Sequence, residues 1–123
     1  MSTHNLLSEI QGMIRSAALT KTATATLTDA EVMENFVIYG NHASSGIVLT
    51  LPIATEANKG ALCLIVNQGV AAVTIEADAT VAAALGFGGV GSGGDIVTLS
   101  QGLGAMVMSN GTYWYVFDMA SIA

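Results

Sequence analysis

After Leu19 the apolar residues come in short runs separated by Gly, Pro, Asn and Ser, and everything beyond that point reads as β. Such runs predict strands, because an amphipathic helix needs roughly ten or more residues at a period of 3.6. "TKTATATLT" places Thr20, Thr22, Thr24, Thr26 and Thr28 on one side and Ala23, Ala25 and Leu27 on the other, a strand with one polar and one small-residue face. In "GIVLTLP", Ile47, Val48, Leu49 and Leu51 put apolar side chains on both faces, which predicts burial on both sides before Pro52 closes the run. "ALCLIVNQG" reads as a central strand, and "VTIEAD" alternates Val73, Ile75 and Ala77 inward against Thr74, Glu76 and Asp78.

The strongest local signal is "AMVMSNGTYWYVF". Asn110-Gly111 is the preferred pair for a two-residue type I′ turn. That turn would set Met108 opposite Tyr113, Met106 opposite Tyr115, and Val107 opposite Trp114. Two sulfur–aromatic pairs on one face follow. About seven or eight short strands, spaced by roughly 8–12 residues, predict a mainly β fold: a compact antiparallel sandwich or barrel.

The N-terminal segment has a different period. Leu6, Leu7, Ile10, Met13, Ile14 and Ala17 lie on one stripe of a helix over residues 6–18, with Asn5 as N-cap. So short a helix is marginal alone, and its stripe must dock on its own domain or on a neighbouring subunit. The division expected is a helical arm, residues 1–19, and a β-rich domain, residues 20–123.

Charge is scarce. Charged residues make up 10% of the 123, against about 25% in ordinary soluble domains, while hydrophobic residues make up 52%. A skin so poor in charge predicts that other subunits cover much of the surface. Net charge is −6, and Arg15, Lys21 and Lys59 are the only Lys or Arg residues. Three scattered cations cannot neutralise a phosphate backbone, so neither nucleic acid nor an anionic membrane is expected as a partner. The start, "MSTHNLLSEIQG", has no basic stretch leading into an apolar one, so no signal peptide is expected.

Candidate chemistry is thin. "GFGGVGSGG", Gly86 to Gly94, contains G-x-G-x-x-G twice. A dinucleotide turn needs a helix at its third glycine, and here "DIVTLS" follows with strand composition. The stretch reads as a loop with Phe87 and Val90 at its tip, either an ordinary hairpin loop or an apolar tip inserted into a neighbour. His42, Ser44 and Ser45 lie together in "NHASSG", which reads as turn chemistry. Cys63 sits in an apolar run with no nearby cation to activate it. Asp78, Asp95 and Asp118 stand at strand ends without calcium-ligand spacing. No catalytic, cofactor or metal site is therefore expected; a hydrolase would need a histidine or carboxylate pair in a cleft, and a ligand-binding barrel would be a single subunit.

Residues 46 to 118 resemble small β-modules of tailed-phage virion proteins, found in capsid decoration (cement) proteins and in fibre or baseplate proteins. The likeness rests on "GIVLTLPIATEANKGALCLIVNQG", "VTIEADA" and "DIVTLSQGLGAMVMSNGTYWYV". The resemblance implies a homotrimer on the outer capsid surface of a virion, made in the bacterial cytoplasm, with the major capsid protein as partner. Leu6, Leu7, Ile10, Met13 and Ile14 would serve as arm anchors, and Phe87 and Val90 as a second contact. The other role open to such a module is a fibre or baseplate part that binds a host glycan through Tyr113, Trp114 and Tyr115.

Overall fold

The computed structural model describes residues 18–85 and 89–118, with side chains described at 18–77 and 97–117. In chain order the elements are β1 (Ala18–Lys21), β2 (Ala25–Thr26), α1 (Asp29–Glu34), β3 (Val37–Gly40), β4 (Ile47–Leu51), β5 (Leu62–Asn67), β6 (Val73–Leu85), β7 (Gly89–Leu99), β8 (Gly104–Ser109) and β9 (Trp114–Asp118). The fold is mainly β, as expected, in two mixed sheets that do not close into a barrel.

The chain alternates between the sheets. β1, β3 and β5 lie side by side and parallel in one; β2, β4 and β6 do the same in the other. Each pair β1–β2, β3–β4 and β5–β6 is thus one turn of a coil, and successive turns stack in register. Leu19 lies beside Ile38 and Ile38 beside Ile65; across the core, Ala25 lies beside Leu49 and Leu49 beside Ile75. β8 and β9 then extend the first sheet antiparallel from β5. β6 forms a long antiparallel hairpin with β7, and its far end, Ala83 to Leu85, pairs with β9. The pairing is therefore mixed where antiparallel pairing was expected. Parallel neighbours require a crossover of about a dozen residues or more. Here the crossover is itself a strand of the facing sheet, so consecutive strands, although close in sequence, are not each other's partners.

The inward positions make one core. Ile38, Leu49, Cys63, Ile65, Val73, Ile75, Leu99 and Val107 are all fully buried. Gly40 shows how closely the faces approach: a Cβ there would meet Val73 Cγ2 at 2.6 Å. Trp114 is 1% exposed and donates from Nε1 to the Pro52 carbonyl at 2.6 Å, tying β9 to the end of β4. β4 alternates between buried and half-buried positions, so only one of its faces is fully covered. β5 occupies an interior place between β3 and β8, and Val73, Ile75 and Ala77 point inward, both as expected.

Several expectations are corrected. The threonine series is not one strand: the chain crosses between sheets after Lys21, and Thr28 is the N-cap of α1. Its hydroxyl accepts from Glu31 N at 3.1 Å, while Glu31 Oε1 accepts from Thr28 N at 3.0 Å, a reciprocal capping box. The T-x-x-E spacing at Thr28–Glu31 was the legible sign of this helix. The helix expected over 6–18 lies outside the described residues except for Ala18, which belongs to β1, so the β-fold begins before residue 20.

The final hairpin is offset by two residues from its expected register. Met108 faces Tyr115, Met106 faces Phe117, and Ser109 faces Trp114. Asn110 Oδ1 accepts from the backbone N–H groups of Thr112 and Tyr113 at 2.8 and 2.7 Å, closing a four-residue loop in place of a two-residue turn. An even offset leaves every side chain on its expected face.

Candidate interaction surface

The outward positions of β3, β5, β8 and β9 form a single apolar face. Register fixes its rows: Val37, Leu64, Met106 and Phe117 lie side by side, and the next row holds Leu62, Met108 and Tyr115. Leu62 is 43% exposed, Phe117 39% and Met108 36%. The outward residues of these four strands include no Asp, Glu, Lys, Arg or His. Between them Val37, Leu64, Met106 and Tyr115 are half-buried, and an uncharged apolar face of this kind is a candidate for contact with another body.

The opposite sheet presents different chemistry. Its outward positions carry Thr26 beside Thr50, and Thr74 beside Thr98, with Glu76 among them. The Thr74 and Thr98 hydroxyls are 3.2 Å apart, and Thr24 Oγ1 accepts from Val48 N at 3.0 Å. Two sheets with the same core thus expose one apolar face and one hydroxyl-rich face.

Potentially reactive groups have structural partners. Cys63 Sγ lies 3.0 Å from Val32 O and 3.2 Å from Asn35 O, at the end of α1, and burial pushes its thiol up to about 11. His42 Nδ1 accepts from Ser44 N at 3.1 Å and Ser45 N at 2.9 Å, so it organises its own turn. Asn67 is fully buried; its amide donates to Ala71 O and Leu99 O and accepts from Gly69 N, joining the turns after β5 and β7. Among the described residues, every buried side-chain nitrogen and oxygen has a hydrogen-bond partner, and no three His, Cys, Asp or Glu residues converge as metal ligands. No helix among them is long and apolar enough to cross a membrane.

Leu6, Leu7, Ile10, Met13, Ile14 and Phe87 lie outside the described residues. Val90 is described by its backbone: it belongs to β7, opposite Ala84. The expected loop over 86–94 is corrected accordingly, since Gly89 to Gly94 form part of a strand and no helix follows the glycines. Ladder hydrogen bonds use only backbone groups, so a partner strand can hold glycines extended against their weak intrinsic preference. Asp78, Asp95 and Asp118 likewise have no described side chains. The apolar face itself was missed as a surface, although its mark was present: "ALCLIV", "AMVM" and "YWYVF" are apolar at both parities.

The protein is thus mainly β, with an uncharged apolar outer face on one of its two sheets. Comparison with protein-family models, with curated proteins and with solved structures finds no match in any of the three.

Proposed function

We propose that this chain is a non-enzymatic virion protein, a head decoration or cement protein that binds the outer capsid of a tailed phage as a homotrimer and bridges capsomers. The observation that carries the reading is the uncharged apolar face of β3, β5, β8 and β9, on a chain with only 10% charged residues. The resemblance of residues 46 to 118 to phage virion modules supplies the kind of assembly. Leu6, Leu7, Ile10, Met13 and Ile14 form the arm, and the glycine-rich end of the β6–β7 hairpin, with Phe87 and Val90, is the second contact. The mechanism is linkage: a protein that binds only the assembled shell stabilises it by mass action. Three arms per trimer add through effective concentration.

The glycan-binding alternative is less well supported: of its three aromatics, Trp114 is buried with its indole N–H bonded to Pro52, while Tyr113 remains exposed. Image reconstruction of particles that carry the chain tests the proposal. Density for three copies on the outside of the head is expected; a chain found only at a tail tip overturns the decoration role. Sedimentation as a single copy at working concentrations overturns the trimer.

A further inference from the structure

We infer that Asn110 is a deamidation site held shut by the β8–β9 loop and released when that loop opens. The site depends on neither the decoration role nor the oligomeric state.

Asn110-Gly111 is the one Asn-Gly pair in the sequence. Glycine has no Cβ, so nothing on the residue itself crowds its backbone nitrogen as a nucleophile. The reaction begins when hydroxide removes the Gly111 N–H proton. The nitrogen then bonds to Asn110 Cγ, and the side-chain nitrogen takes a proton from water and leaves as ammonia. Water opens the resulting succinimide at either carbonyl, giving aspartate or isoaspartate. Water is consumed and ammonia released, with no change of oxidation state.

Asn110 is exposed, yet every group this chemistry needs is already bonded. Gly111 N donates to Ser109 Oγ at 3.1 Å, so the proton that must leave is held. Ser109 is 1% exposed, and its hydroxyl donates in turn to buried Asn58 Oδ1 at 2.7 Å. The latch is therefore anchored in the interior of the protein. Asn110 Oδ1 accepts from Thr112 N and Tyr113 N at 2.8 and 2.7 Å, while Nδ2 donates to the Tyr115 hydroxyl at 3.3 Å. These bonds fix the plane of the amide, and swinging it onto Gly111 N breaks them. The two donors on Oδ1 also polarise the carbonyl, which favours attack. A polarised carbonyl still needs a free nucleophile, so the held N–H decides the rate. Four bonds of ordinary net strength make the open loop about a hundredfold or more scarcer than the closed one.

The product records the opening. Isoaspartate routes the chain through Cβ and adds a backbone atom between Ser109 and Trp114, which face each other across the hairpin.

The test incubates the full chain in mildly alkaline buffer, folded or in guanidinium chloride, and follows residue 110 by peptide mass spectrometry and by the ammonia released. Conversion in denaturant, about a hundredfold slower in the folded chain, is the expected result. Ser109→Ala should speed conversion several-fold while the circular dichroism spectrum stays native. Ile38→Val, a core change of comparable cost outside the loop, should leave the folded rate as it is. Equal rates in the folded and denatured chain overturn the gate, and no conversion at Asn110 in denaturant overturns the site. A Ser109→Ala rate equal to that of the parent, or matched by Ile38→Val, overturns the latch.

Discussion

The Ser109 hydroxyl donates to Asn58 Oδ1 at 2.7 Å in the buried interior, across 51 residues of sequence. The Asn58 amide nitrogen donates in turn to Asp29 Oδ1 at 2.9 Å and to Ile53 O at 2.8 Å, and Oδ1 also accepts from Thr55 N at 3.1 Å. One side chain with all of its capacity used thus joins the start of α1, the linker after β4 and the β8–β9 hairpin. Ser109 Oγ extends the network by accepting from Gly111 N at 3.1 Å.

Asn58→Ala strands several of these partners at once. Each buried group left without a bond costs about 1–3 kcal/mol, so a loss of about 3 kcal/mol is expected. Ser109→Ala leaves the contacts of Asn58 with Asp29, Ile53 and Thr55 in place and should cost about 1 kcal/mol. Urea unfolding midpoints measure both. Equal losses would mean that Asn58 is not the central tie.

Gly69 and Gly46 respond differently to the same added methyl group. A Cβ on Gly69 would lie 2.5 Å from His42 N and 2.7 Å from His42 O, and backbone cannot move aside as a flexible side chain can. On Gly46 the nearest atom is Ala72 O at 3.5 Å, an ordinary contact. Gly69→Ala should therefore destabilise by about 2 kcal/mol or more, as overpacking does, with Gly46→Ala within about 0.5 kcal/mol of the parent. Thermal or urea unfolding of the two variants decides the point.

Cys63 should be almost inert in the folded protein. Its thiol is raised from an ordinary 9.0 to about 11 by burial, which makes thiolate about a hundredfold scarcer at pH 8. Reaction with a thiol reagent should follow unfolding, with urea restoring the full rate. The folded state holds this proton more tightly than the unfolded chain. The stability so gained is whole below pH 9.0 and is lost as pH rises toward about 11. Cys63→Ala should remove that alkaline step from the stability profile.

Glu31 contributes to stability on the acid side. The Lys21 ammonium bonded to its carboxylate holds it below the ordinary value of 4.5; burial opposes this, and the capping contacts with Thr28 add to the lowering. A lowered value means that the folded state favours the ionised form. The stability it contributes is present above pH 4.5 and is lost as pH falls through the lowered value. Glu31→Gln should flatten the decline in urea midpoint on acidification, and an unchanged slope would show that Lys21 and Glu31 do not hold β1 to α1.

The strands after Leu19 were legible because alternation records which side chains face a core. Val73, Ile75 and Ala77 point inward as their pattern demands, and the Met–aromatic face of the last hairpin survives a register offset because the offset is even. Cys63 was legible as a buried thiol for a related reason: an apolar run without cations leaves a thiolate neither solvated nor paired. The α1 cap was written at Thr28 and Glu31 and was masked by the period-two threonines around it.

Partnership was not legible in the same way. Alternation is identical in parallel and antiparallel strands, so only the folded chain decided that β1, β3 and β5 stack in one sheet while β2, β4 and β6 stack in the other. The hairpin loop was likewise decided by bonds from the Asn110 side chain that dipeptide preference does not include. The apolar surface is a property of four strands brought together from distant parts of the chain. Local pattern determined which residues could face outward; long-range pairing decided that Leu62, Met108 and Tyr115 would face outward side by side.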